Sequence, residues 1–369
     1  MKQEYMVVAG AAALALSTVA VSAPANKKAP VAGRTAPVAT YWMDVNTAAG
    51  LGAGMVNGAG GGQPDAASIM AMMSGGAPAY AHSLYLRLAS RTAPPVPAQA
   101  DHFIPAGLQM GPSLPLVAPP RPEAAAGPMD KPKGRMLIYW GCGDHVGAGQ
   151  PMVINLADMA SGKVPENLRR MGSMMGRTQS ARPGPNSAPG FGEWPNPRDS
   201  RPVPVTGSLL GAHRIHGNYA PQIDFALGQG QDFMGPLNLS DAGAAPSGAS
   251  LIRWNSVAYA TGYALSLFGA GDSGDMIMWS SAKNSSFANL DYLSPAEVAR
   301  KITAGNVLAP SVTQCLLPAE VARAVPMGMM MGIGYGPEAH FAEAPKDPKW
   351  AVTVRYKSSG SLMRGMQGF

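Results

Sequence analysis

The chain has 369 residues, and its 45 glycines and 35 prolines make up about a fifth of it. That share, well above the usual ~7% and ~5%, excludes long uninterrupted helices, while 46% hydrophobic residues are enough for a core. The formal charge of +6 is scattered, with no Lys/Arg block. A nucleic-acid surface needs a clustered basic stripe, so none is expected.

Residues 1–25 read as a secretory signal peptide. Lys2 and Glu4 give a weakly positive start, 6–21 is almost wholly apolar, and Val21-Ser22-Ala23-Pro24-Ala25 offers small residues, with cleavage favoured after Ala25. The apolar run falls short of the ~20 residues a span needs, so no membrane span is expected once it is removed. No cysteine follows the run and no twin arginine precedes it, which points away from a lipoprotein and toward general export. Periplasm and exterior both remain open.

Residues 26–38 read as a linker. A first β domain is expected over 39–160, an irregular linker over 161–205, and a C-terminal β-sandwich domain over 206–369. In the first domain, 39–45 has strand character and 48–76 is a Gly/Ala/Met loop with room for one short helix over 65–73. Residues 83–89 alternate, with Leu84, Leu86 and Leu88 on one face. Residues 102–105 suit a short edge segment, 135–140 an apolar inner strand, and 152–156 its partner. In the second domain 208–215, 222–227, 250–254 and 350–356 have strand character, and Trp350, Val352, Val354 and Tyr356 share a face. Residues 262–268 and 275–280 flank a Gly-rich connector, which is a hairpin signal. The expected fold is therefore mainly β, with two antiparallel sandwich-like domains, Pro/Gly-rich linkers and a few short helices.

Two of those helices come from a repeat: Pro-Ala-Glu-Val-Ala-Arg occurs at 295–300 and again at 318–323. Ser294 before Pro295, with Glu297 three residues later, is a capping box with proline at the first helical position. Cys142 and Cys315 suit a disulfide in an oxidising compartment, although two separate buried thiols fit the sequence as well.

Around Trp254 and Tyr263 the pattern Leu-Ile-Arg-Trp-Asn-Ser-Val…Ala-Thr-Gly-Tyr-Ala-Leu resembles a fibronectin type III or other immunoglobulin-like domain over 250–280. The resemblance implies a tryptophan and a tyrosine packed across two sheets. Tyr139-Trp-Gly-Cys-Gly143 with Gly149-Gln-Pro151, and the run from His102 to Leu108, resemble exported bacterial proteins of unknown function. Neither resemblance implies a catalytic residue.

The chemistry-bearing residues divide into weak candidates. Gly271-Asp-Ser-Gly-Asp275 resembles a chymotrypsin-like nucleophile segment around Ser273, but Asp275 replaces the expected glycine and no matching histidine context precedes it, so a hairpin turn is expected. Met327, Met329, Met330 and Met331, with Met70–Met73 and Met171–Met175, are expected in Gly-rich loops, and thioethers select Cu(I). His340 is the nearest histidine to the third cluster. Cys142-Gly-Asp-His145 and His213-Arg-Ile-His216 read as a turn and a solvent-facing pair. The expected function is a non-catalytic envelope or extracellular binding or structural module for a protein or glycan partner, without a cofactor. A periplasmic copper-binding protein using Met and His side chains is the second reading, and an enzyme acting on envelope glycans the third.

Overall fold

Every stretch with strand character in the sequence forms a strand, and pairing between them sets the architecture. The computed structural model describes residues 36–57, 79–120, 134–156, 158, 182–271, 274–285, 291–344 and 347–365. The expected signal peptide over 1–25, most of the expected 26–38 linker, the helix expected over 65–73, Met70–Met73, Met171–Met175 and Ser273 lie outside them. Among the described residues the fold is mainly β, with 47% in strands and 9% in helices.

Among the described residues sixteen strands run in chain order: β1 (Ala39–Gly50), β2 (Tyr80–Ser90), β3 (Ala100–Phe103), β4 (Ser113–Pro115), β5 (Arg135–Trp140), β6 (Met152–Asn155), β7 (Gly190–Trp194) and β8 (Gly211–Gly217). They continue as β9 (Ile223–Leu227), β10 (Leu239–Ala244), β11 (Ser250–Trp254), β12 (Gly262–Ala270), β13 (Met276–Ser280), β14 (Gln314–Leu317), β15 (Gly328–Ala342) and β16 (Trp350–Arg364). One nine-stranded sheet has the order β6-β5-β13-β12-β15-β16-β1-β2-β7. Two smaller sheets, β10-β11-β14 and β4-β3-β8-β9, pack on its inner face.

This order revises the expected division at 161–205. Strands from both expected domains share the large sheet, and β7 comes from within 161–205 itself. The link is the parallel pairing of β1 with β16, from Ala39 opposite Trp350 to Gly50 opposite Ser361. Residues 36–369 accordingly form one compact unit. Likewise 102–105 is no edge: β3 lies between β4 and β8.

The expected loop containing Met327–Met331 is also revised, since Met329, Met330 and Met331 lie in β15, a 15-residue strand paired with both β12 and β16. Its glycines conceal the strand signal. A Cβ at Gly336 would come within 2.6 Å of the Met234 sulfur, and one at Gly360 on β16 would collide with the Leu237 carbonyl. Glycine there lets the 231–239 segment lie directly on the sheet backbone. Sheet hydroxyls hold that segment: Thr47 donates to the Met234 carbonyl at 2.6 Å and Ser358 to the Gly235 carbonyl at 2.8 Å.

Helix α1 (Leu51–Asn57) follows β1, α2 (Pro295–Thr303) carries the expected capping box, and α3 (Ala319–Ala324) follows Pro318. The Glu297 amide donates to the Ser294 hydroxyl, and the Ser294 amide donates back to the Glu297 carboxylate at 2.9 Å. On the outer face of the large sheet, Val298 of α2 packs with Leu293 and Val307 against Ala264, Ile333 and Tyr335. Among the described residues no helix is long and apolar enough to cross a membrane.

Cys142 and Cys315 are joined, with Cα atoms 5.4 Å apart and a sequence separation of 173. The bridge ties the end of β5 to β14, and thus the large sheet to the three-stranded one. Gly143 donates to the Leu316 carbonyl and Ala319 to the Asp144 carbonyl beside it. Trp254 and Tyr263 meet edge-to-face with centroids 5.8 Å apart, between β11 and β12, and the Val257 amide donates to the Tyr263 hydroxyl.

Candidate functional site

Strand β1 turns Tyr41, Met43 and Val45 to the inner core and Trp42, Asp44 and Asn46 to the outer face, as the two-residue period of a strand requires. A charged residue at such an outward position is ordinarily solvated. Asp44 is instead fully buried, and so is Arg355, its register partner on β16. Removing an ion from water costs several kcal/mol unless charge and hydrogen bonds compensate.

The compensation is threefold. Arg355 donates from Nε to Asp44 Oδ1 at 2.7 Å, and its terminal Nη2 lies at the same distance from that oxygen as an ion pair, without the geometry of a second hydrogen bond. Arg87 of β2 donates to Asp44 Oδ2 at 3.3 Å, and Arg182 stands 3.6 Å from the same oxygen. Arg87 extends to Glu193 on β7 at 3.8 Å, and Arg182 to Asp291 at 3.3 Å. Aromatic rings complete the cage. The Arg355 guanidinium lies 4.7 Å from the Trp42 ring centre and 4.6 Å from that of Tyr292, and Lys357 Nζ is 4.4 Å from Tyr292. Such cation–π contacts strengthen as water is excluded.

Burial governs the titration of the surrounding groups. It pushes the Tyr292 hydroxyl well above its ordinary value, reinforced by Asp44. It lowers Lys357, against the opposing pull of Asp291 and Asp44, and raises Glu193 against the pull of Arg87. Formally, four cationic side chains (Arg87, Arg182, Arg355, Lys357) meet three carboxylates (Asp44, Asp291, Glu193), which leaves one positive charge in excess. The rim is open: the Arg182 side chain is 38% exposed and Tyr85, opposite Asp44 on β2, is 44% exposed. A half-exposed ring beside fixed guanidinium and carboxylate groups can stack on a ligand's apolar face and bind its hydroxyls or acidic groups.

A second buried polar network lies on the inner face. Tyr41 Oη is 2.9 Å from His102 Nδ1, His102 Nε2 is 2.9 Å from His213 Nδ1, and His213 Nε2 is 2.7 Å from the Leu209 carbonyl. A carbonyl only accepts, so His213 carries a proton on Nε2, and burial disfavours a second proton on the same ring, which leaves Nδ1 as acceptor. His102 then donates from Nε2, and Tyr41 donates to His102 Nδ1. Every proton has one place, and both imidazoles are neutral. Burial depresses both histidines, His102 further through its neighbour His213. Phe225 stacks on His213 with centroids 5.0 Å apart.

The residues singled out in the sequence are dispersed. Met330 is buried in the main core, Met327 is exposed, and Met329 and Met331 lie on the outer face. His340 lies nine residues beyond Met331 on the same strand, roughly 30 Å at ~3.3 Å per residue, and contacts Glu338 at 3.3 Å. The structure therefore does not join His340 to the methionines. Cys142 and Cys315 are consumed in the disulfide. His145 pairs with Glu320 of α3 at 3.0 Å, at the protein surface. His213 is not solvent-facing, as expected from sequence, but buried in the relay, because it shares the inward register of β8 with Ile215.

Sequence reading missed Asp44, Arg87, Arg182 and Arg355. Asp44 interrupts the apolar run Tyr-Trp-Met-Asp-Val, and that is the one signal in the sequence that could have marked the site. Among the described residues no group of three His, Cys, Asp or Glu side chains is placed to hold a metal. No family model, curated protein or solved structure matches the chain.

Proposed function

We propose that the chain is an exported, non-catalytic recognition module whose outer-face cluster holds a glycan. The observation that carries this reading is the half-exposed Tyr85 beside Arg87, Arg182 and Asp291, set over the buried Asp44–Arg355 pair. Sugars present apolar C–H faces to aromatic rings and hydroxyl pairs to planar forks such as guanidinium and carboxylate. The ion pairs beneath hold these groups in place before binding, which reduces the entropy lost on association. The excess positive charge favours acidic polysaccharides. Export is supported by the leader-like sequence of 1–25 and by the Cys142–Cys315 bridge, which suits an oxidising compartment.

The test is retention of the mature protein on insoluble envelope polysaccharide, compared with a Tyr85→Ala variant of unchanged thermal stability. Retention that survives protease treatment of the matrix and fails in the variant supports the reading. Equal retention of both proteins, or retention that disappears with protease treatment, would replace the glycan with another site or with a protein partner. Fractionation of cells into cytoplasm, envelope and medium tests export directly.

A further inference from the structure

The methionines of β15 play no part in that reading, and sheet register sorts them anew. Strand alternation sends Met330 into the core and leaves Met329 and Met331 together on the outer face, both half-buried. Met329 stands opposite Met363 of β16 on one side and Phe268 of β12 on the other. Phe268 in turn stands opposite Met278 of β13. A single row across four strands thus reads Met363, Met329, Phe268, Met278, with Met331 one step along β15 and Ser361 beside it. Met363 and Met278 are half-buried like Met329.

Side chains directly opposite in an antiparallel pair have Cβ atoms ~4.5–5.5 Å apart, and same-face neighbours along a strand are about 7 Å apart. Methionine has three rotatable bonds and a polarizable sulfur. Three thioethers anchored at Met329, Met331 and Met363 can therefore turn toward one point above the sheet. Neutral thioether donors select soft Cu(I) over harder divalent ions, and Phe268 shields one flank of that point. We propose that Met329, Met331 and Met363 form a Cu(I) site on the outer face of the large sheet. Met330, on the opposite face, and His340, far along the strand, take no part.

Anaerobic titration with Cu(I) against a chromophoric Cu(I) chelator tests the site, with Ag(I) as a redox-inert probe. The mature protein should withdraw about one equivalent, and a Met329→Leu/Met331→Leu/Met363→Leu variant should bind at least about tenfold more weakly. Met330→Leu should bind as the parent does. No uptake by the parent, or uptake unchanged in the triple variant, would overturn the proposal. A second measurement needs no variant: Ag(I) should protect Met329, Met331 and Met363 of the parent from sulfoxide formation by peroxide. Oxidation of all three at an unchanged rate would also refute the site. Neither readout involves Tyr85, so each proposal can fail without the other.

Discussion

Tyr41 and Asp44 are three residues apart on β1, and each enters a buried polar network on its own face of the same sheet. On the inner face, the elements packed on β1 bring imidazoles and phenyl rings: His102 from β3, His213 from β8 and Phe225 from β9. On the outer face, Arg355 from β16, Arg87 from β2 and Arg182 converge on the carboxylate. One face therefore satisfies its polar groups by a directed chain of neutral hydrogen bonds, and the other by compensated charge. The difference shows that burial alone does not decide the state of a group. The partner supplied by the facing element decides it.

A perturbation common to both faces should have the largest effect. Closing a loop of 173 residues stabilises by about 5 kcal/mol in the chain-entropy view. A Cys142→Ser/Cys315→Ser variant should lose up to about that much in denaturant unfolding. The loss should be the same at pH 7 and pH 5, because the bridge touches neither network.

Breaking the outer face should come next. Asp44→Ala leaves the Arg355 guanidinium buried without its carboxylate, and losses of about 3–5 kcal/mol are typical when one partner of a buried pair is removed. Removing both charges should recover most of that, since apolar replacement of a buried pair is often neutral or better. An Asp44→Leu/Arg355→Met variant more stable than Asp44→Ala in urea unfolding would show this. Equal losses in both would place the stability in packing rather than charge.

The inner face should respond to acid instead. Unfolded imidazoles take up protons near pH 6.5, whereas His102 and His213 resist until lower pH because burial holds them down. Stability is therefore fully present above ~6.5 and falls as pH drops below it, by at most about 1.4 kcal/mol per pH unit for each histidine. His82 adds to the slope, its titration also lowered mainly by burial. Thermal melts from pH 7 to pH 5 should show the decline, and Tyr41→Phe/His102→Leu/His213→Leu should flatten it. The smallest effect should come at the rim: Tyr85→Ala is expected to change stability by no more than about 0.5 kcal/mol.

Much of this fold is legible in sequence, and the failures share a cause. The alternation of Trp350, Val352, Val354 and Tyr356 correctly predicts the inward face of β16, and 135–140 and 250–254 match β5 and β11 residue for residue. The capping box at Ser294 is legible because it is local chemistry. Strand β15 is not, since Gly332, Gly334 and Gly336 carry no side chain to signal a strand and owe their place to Leu239, Tyr263 and Met234 packing on them. The candidate site fails to show for a related reason. Asp44 and Arg355 are 311 residues apart, and only the parallel register of β1 with β16 makes them neighbours.

The contrast between the two faces can be read directly from the ring nitrogens of His102 and His213 by ¹⁵N NMR at neutral pH. The relay predicts both rings neutral, each with its proton on Nε2 and its Nδ1 accepting a hydrogen bond. A cationic ring, or a proton on Nδ1 of either histidine, would contradict it.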